Sequence, residues 1–113
     1  MLSLRNTDRI YLYSKFTDMR KGFNGLSNIV ISLMELDVTN GDIFVFINRS
    51  KDKLKLLRFE KGGFSLYYKR LEKGRFELPK GFDKQKNISL SSTEIMMIIE
   101  GISLEKRGQK VRF

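Results

Sequence analysis

The first third of the chain carries two apolar patterns, one typical of a strand and one typical of a helix. Residues 10–13 (IYLY) form a short β-rich run. After it, apolar side chains recur at the 3.6-residue spacing of an amphipathic helix, at Met19, Phe23, Leu26, Val30, Leu33 and Met34. Thr17 stands before this pattern as an N-cap and Asp18 falls in the first turn. We therefore predict a helix over residues 17–36.

The middle of the chain is typical of strands. Residues 43–47 (IFVFI) have no polar side, which predicts a central strand that is covered on both faces. A polar loop leads to a strand at about 54–60, and the KGG sequence at 61–63 supplies the glycines of a tight hairpin turn. The return strand is expected at about 64–69. A further short extended piece, RFELP, ends on a proline that cannot donate to a strand ladder.

The last predicted helix has a clear start and a clear end. After a polar loop at 80–87, Ser91 and Glu94 have capping-box spacing, an isoleucine stripe follows, and Gly101 marks the end. The elements together predict an α+β fold: a single domain over residues 1–104, with an antiparallel three- or four-stranded meander packed with two helices. Residues 105–113 are expected to be a basic C-terminal tail.

The composition removes most enzyme classes. The chain has no Cys and no His, which excludes disulfides, thiol chemistry, structural zinc sites and His-based catalysis. Its 13 acidic residues form no cluster along the sequence that would hold a catalytic metal. We therefore expect a protein that is not an enzyme, with no catalytic residues, no metal and no cofactor.

The hydropathy pattern gives no sign of a membrane protein. No apolar run approaches the roughly 20 residues that span a bilayer, and the N-terminus lacks the apolar stretch of a signal peptide. We expect a cytoplasmic protein with no membrane partner and no small-molecule substrate.

The positive charge of the chain is concentrated in one segment. The chain carries a formal net charge of +9, and residues 49–75 hold ten Lys or Arg against three acids, a net charge of +7. Residues 1–48 are neutral by the same count, and residues 76–113 carry +2. Because like charges repel and weaken the compact state, such a concentration indicates an acidic partner, and nucleic-acid phosphate is the first candidate.

Strand alternation predicts where these cations lie. It places Lys55 on the same face as Leu57 and Phe59, so neither face of the hairpin is purely basic. The charge is therefore expected at loops and strand ends, where it suits phosphate contacts. The predicted phosphate-facing set is Arg20, Lys21, Arg49, Lys51, Lys55, Lys69, Arg70 and Arg75. Individual lysines at sheet edges also have another explanation, because they prevent edge-to-edge aggregation.

Two smaller motifs admit alternative interpretations. Arg20 and Lys21 lie in the first turn of the predicted helix, where free N–H groups and two cations form an anion site. Alternatively, both side chains point to solvent, or Arg20 pairs with Asp18. Aromatic side chains in strands usually belong to the core, but alternation turns either Tyr67 or Tyr68 away from it, and that tyrosine is the better candidate for stacking on a base.

Three blocks of sequence resemble a known family. They are TDMRKGFNGL at 17–26, the stretch from 41 to 79 that ends in KRLEKGRFELP, and ISLSSTEIMMIIEGI at 88–102. Together, over about residues 2–104, the chain resembles the small TnpB accessory proteins encoded beside the transposase in insertion-sequence-66 elements. The resemblance implies a non-catalytic accessory role in transposition, with DNA as the partner of the basic hairpin. The alternative is a module that docks the element's transposase.

Overall fold

The computed structural model, which describes residues 3–101, is built around a five-stranded mixed sheet. The strands are β1 (Ile10–Tyr13), β2 (Ile43–Ile47), β3 (Lys53–Glu60), β4 (Gly63–Arg70) and β5 (Asn87–Leu90). Their order across the sheet is β4-β3-β2-β1-β5. β1 runs parallel to β2, and the other adjacent pairs are antiparallel. The predicted α+β class is confirmed, but the purely antiparallel three- or four-stranded meander is wrong.

The sheet is mixed because of the connection between β1 and β2. A helical segment crosses between them and returns the chain in the same direction, as parallel strands require. It consists of α1 (Phe23–Asn28), which continues directly as a π-helix (Ile29–Met34). The second helix, α2 (Ser92–Glu100), follows β5.

β2 lies at the centre of the sheet and both of its faces are covered. All five of its residues are buried, as the unbroken apolar run predicted. On one face, Val45 packs in a cluster with Ile95 and Ile98 of α2. On the other, Phe44 and Phe46 pack against α1 and the π-helix. The two helical segments therefore cover opposite faces, which we call the α2 face and the α1 face.

The first helix begins five residues later than predicted. Its N-cap is Gly22, with no side-chain capping bond, while Thr17 lies in the preceding loop. Asp18 begins a short turn of its own there, because its carbonyl accepts the Lys21 N–H at 3.1 Å and its carboxylate accepts the Arg20 N–H at 2.9 Å. Arg20 and Lys21 thus precede the helix, so the predicted anion site in a first helical turn is wrong.

The hairpin between β3 and β4 follows the predicted turn closely. Glu60 pairs with Gly63, which leaves a two-residue loop of Lys61 and Gly62. Both loop residues have positive φ, 52° and 81°, which is the conformation of a type I′ turn. A positive φ is unfavourable for Lys61, which has a side chain, whereas Gly62 adopts it without steric cost.

The segment after the hairpin differs from prediction at two points. Residues 75–79 form no strand; instead Phe76 is buried in the α2-face core, and its N–H donates to the Lys51 carbonyl at 2.6 Å. Residues 87–90, which the sequence did not predict as a strand, form β5 and pair with β1.

The last helix has the predicted capping box. The Ser91 hydroxyl accepts the Glu94 N–H at 3.0 Å, and the Glu94 carboxylate accepts the Ser91 N–H at 2.9 Å. Gly101, at φ 81°, ends the helix. The predicted domain end at residue 104 and the basic tail at 105–113 lie outside the described residues. Neither helical segment within residues 3–101 has the length and apolar character to cross a membrane.

Candidate nucleic-acid interface

An open groove of about 590 Å³ lies where the loop after β1 meets the loop after β2. Its walls come from residues 16–20 and 48–50, together with Lys53 of β3 and Tyr68 of β4. We call it the Tyr68 groove. Its lining includes three cations, Arg20, Arg49 and Lys53, against a single acid, Asp18. The groove therefore combines positive charge with an aromatic ring.

Asn48 builds the wall formed by the loop after β2. Its side-chain oxygen accepts the N–H groups of Asp52 at 3.1 Å and Lys53 at 2.9 Å, while its amide nitrogen donates to the Asp52 carboxylate at 2.8 Å. The Asn48 N–H group donates to the Lys53 carbonyl at 3.2 Å. These bonds close the loop and fix the position of Arg49. The sequence predicts only a polar loop here, and no local pattern identifies the role of Asn48.

Lys55 holds the opposite wall in place from beneath. Its side chain is only 6% exposed, and its ammonium group donates to the carbonyls of Met19 and Lys21, both at 2.8 Å. These carbonyls are consequently engaged by Lys55. The Thr17 N–H adds a bond to the Ile47 carbonyl at 2.9 Å. Lys55 therefore positions the loop, and we correct its predicted phosphate-facing role, because its charge does not reach solvent.

Tyr68 presents an aromatic ring to the groove. Lys55 and Tyr68 are cross-strand partners on the α1 face, and the Lys55 ammonium lies 4.6 Å from the centre of the Tyr68 ring. Tyr68 is 51% exposed. Tyr67 instead packs against the core of the α2 face. Of the two tyrosines, Tyr68 is the one turned away from the core.

Two arginines flank this ring on the loops. Arg20 forms a forked ion pair with Asp18, at 2.7 Å for the shortest contact, and its side chain is 92% exposed. The hydrogen bonds from Arg20 lower the pKa of Asp18 to about 2. The Arg49 guanidinium lies 5.2 Å from the centre of the Phe16 ring, which itself packs on Phe82. Stacking of this kind holds the planar guanidinium at the groove edge.

The other predicted phosphate-facing residues are dispersed. Lys69 points to the α2 face, where its ammonium donates to the Ile99 carbonyl at 2.9 Å. Arg70 is exposed on the α1 face and pairs with Glu72 at 3.1 Å. Lys21 lines a neighbouring groove, Lys51 is half-buried, and Arg75 is exposed with no ion pair inside residues 3–101. The structure thus brings together Arg20 and Arg49 of the predicted set, and adds Lys53.

The chemistry available in the groove is recognition of an anion and of a flat ring. Within residues 3–101 no group of three or more acidic side chains is placed to hold a metal ion. Guanidinium and ammonium groups donate hydrogen bonds to phosphate, and an exposed tyrosine stacks on bases. The side chains that line the groove can provide both anion binding and ring stacking.

Most of the sequence matches a known protein family. A family model described as IS66 Orf2 like protein matches residues 8–109. The chain belongs to this family. The predicted resemblance to the accessory proteins of insertion-sequence-66 elements is therefore confirmed, and membership in the IS66 Orf2-like family implies a transposition-associated accessory role. The family is an accessory one and is not a known class of enzyme.

Curated relatives of this IS66 Orf2-like chain have similar lengths. Two are uncharacterized proteins of Sinorhizobium fredii, y4hO at 32% identity and y4jC at 33% identity, each over 102 residues. The alignments cover 90% of this chain and 87% and 86% of the two relatives. No solved structure matches the chain significantly.

Proposed function

We propose that this protein assists transposition by binding DNA through the Tyr68 groove. The observation that carries the proposal is the convergence of Arg20, Arg49 and Lys53 on one groove that has a single acid in its lining. An accessory protein of an insertion sequence works where DNA is the shared substrate, so phosphate is the anion that this groove is expected to meet.

The ion pairs already present leave these cations available. Arg20 pairs with an exposed acid, and Lys53 lies 3.6 Å from the Asp52 carboxylate. Exposed ion pairs contribute little free energy, so a phosphate can share or replace these carboxylates. Among residues 3–101, Arg49 contacts the Phe16 ring and interacts electrostatically with Asp83 without a direct ion pair. Arg49 is also exposed, so its donors can reach a phosphate. We therefore assign Arg49 and Lys53 as the main phosphate ligands, with Arg20 and the neighbouring Arg70 in support.

The test is a salt titration of DNA binding. Each phosphate contact in duplex DNA adds about 0.9 to the steepness of the slope of log K against log salt concentration. The double substitution Arg49→Gln and Lys53→Gln should therefore weaken binding at about 50 mM salt and flatten the slope by about 2. The measurement is fluorescence anisotropy with a labelled duplex.

A matched control removes the same charge elsewhere. Arg5 and Lys61 are exposed and lie toward the end of β3 that is opposite Lys53. The double substitution Arg5→Gln and Lys61→Gln should change affinity and slope much less. The proposal fails if the unaltered protein does not bind DNA at about 50 mM salt, a condition that favours phosphate contacts, or if both double variants lose affinity equally.

A second groove, lined in part by apolar side chains, favours a second candidate, docking of the transposase. Leu33 of the π-helix is 52% exposed and lines this groove of about 570 Å³ together with Ile29 and Tyr13. Exposed apolar side chains that line a groove are typical of protein interfaces. Binding of purified transposase after nuclease treatment, lost on Leu33→Ser and retained on Arg49→Gln, would support docking over DNA binding.

A further inference from the structure

We infer that the Tyr68 groove takes an unpaired base stacked on Tyr68, and that the protein therefore prefers single-stranded or locally melted DNA to intact duplex. The inference rests on the proposed function, because it specifies which form of DNA the groove binds. The supporting observation is that Lys55 lies against one face of the Tyr68 ring, while the exposed part of Tyr68 lines the groove.

One face of the ring is backed by a fixed cation. The Lys55 ammonium lies 4.6 Å from the ring centre and is held by the carbonyls of Met19 and Lys21. Because Lys55 is buried and Tyr68 is 51% exposed, the ring is supported from below while the rest of its surface faces the groove. The cation is attracted to the negative face of the ring, so it holds the ring in place and leaves the outer face open to a base.

The charges around the ring suit a single strand. Arg49 and Lys53 line the same groove as Tyr68, so a strand whose base lies on the ring places its phosphates near both cations. Aromatic platforms beside a basic groove are the general device of single-strand binding. In an intact duplex the faces of internal bases are already covered by their neighbours, so Tyr68 gains nothing there.

The first experiment separates bases from phosphates. An oligo-dT strand and an abasic strand of equal length carry the same charge, but only the first has bases to stack. We expect the unaltered protein to bind oligo-dT about 5- to 150-fold more tightly than the abasic strand. Tyr68→Ala should abolish this difference, whereas Tyr68→Phe, which keeps the ring, should preserve it. Urea unfolding of both variants checks that the fold persists.

The second experiment reads the stack directly. The chain has no Trp, so Tyr68→Trp introduces a single Trp into the groove, and its fluorescence can be excited selectively over that of the remaining tyrosines. Stacking on a base should quench its fluorescence with oligo-dT and leave it nearly unchanged with the abasic strand. Phe23→Trp is the matched control, since Phe23 is 46% exposed but does not line the Tyr68 groove. Its fluorescence should respond little to either strand.

The outcomes distinguish the inference from the proposed function. Equal binding of oligo-dT and the abasic strand, with no quenching at position 68, overturns the base-stacking inference and leaves phosphate binding intact. Absence of binding to either strand and to duplex overturns both. Tighter binding of oligo-dT that depends on the ring at position 68 supports the base-stacking inference. In competition, duplex that displaces oligo-dT only weakly supports the single-strand preference, and duplex that competes equally well overturns it.

Discussion

Replacing Lys55 by Met tests whether this residue holds the Tyr68 groove together. The substitution keeps a long apolar stem but removes the ammonium group that donates to Met19 and Lys21. Two carbonyl oxygens at a largely buried site then lose their donor. If Lys55 instead served as a phosphate ligand, its loss would weaken DNA binding without affecting the fold.

The expected destabilisation follows from these two bonds. A hydrogen bond that involves a charged group contributes about 1.5–3 kcal/mol, so two such bonds contribute about 3–6 kcal/mol. Removing the ammonium also removes the unfavourable free energy of burying a charge. This offsets part of the stabilisation that is lost with the two hydrogen bonds. We expect a net loss of about 2–4 kcal/mol in the free energy of unfolding. At about 4 °C per kcal/mol for a domain of this size, the melting temperature should fall by about 8–16 °C.

The assay is urea unfolding followed by circular dichroism. Lys73→Met is the matched control, because Lys73 is exposed and makes no ion pair inside residues 3–101; its stability should change by less than about 0.5 kcal/mol. Amide hydrogen exchange in residues 17–22 should accelerate in Lys55→Met alone. Equal stability of the two variants would refute the assigned role of Lys55.

Three further predictions concern the groove and the helix that covers the other face. Asn48→Ala should destabilise the protein by about 1–3 kcal/mol in urea unfolding, because two N–H groups lose their acceptor, whereas Asn24→Ala, at an exposed helical position, should have little effect. Ser91→Ala removes the capping box and should lower the free energy of unfolding by about 1 kcal/mol, against Ser89→Ala as control; an unchanged value would contradict the capping role. Arg20→Gln should raise the pKa of Asp18 from about 2 toward its ordinary value of 3.8 in an NMR titration, since the Arg20 side-chain bond is the largest cause of the shift. Because the folded-state pKa is lowered, the stabilisation from Asp18 is complete above about pH 4 and is lost as pH falls toward 2; an unaltered pKa in Arg20→Gln would refute this cause.

Elements governed by local signals were predictable from the sequence. The run at 43–47 identified β2, because a strand without a polar side must be covered on both faces. Lys61-Gly62-Gly63 identified the hairpin turn, and Ser91 with Glu94 identified the start of α2. In each case the residues that determine the structure lie within a few positions of each other.

The start of the first helix was not predictable in this way. Apolar spacing extends back to Met19, but the Met19 and Lys21 carbonyls bind an ammonium from more than 30 positions along the chain. A tertiary contact of this kind overrides local propensity and leaves no trace in the helical period. The same contact removed Lys55 from the surface, although strand alternation had placed it on the correct face beside Leu57.

The sheet order was missed for a related reason. β5 has only four residues, and it pairs with β1, which lies more than 70 positions earlier. Such short segments carry a weak pattern and are defined by their partner. The groove has the same origin: its two walls come from loops about 30 residues apart that meet only in the folded chain.

The most direct test of the central claim is an NMR titration of the isotopically labelled protein with a short DNA strand at low salt. We predict that amide shifts concentrate in the residues that line the Tyr68 groove, including Thr17, Ser50 and Tyr68, while the amide shifts of Lys61 at the hairpin turn and Ser92 in α2 stay nearly unchanged. Shifts that centre on the hairpin turn or α2, or none at all, would contradict it.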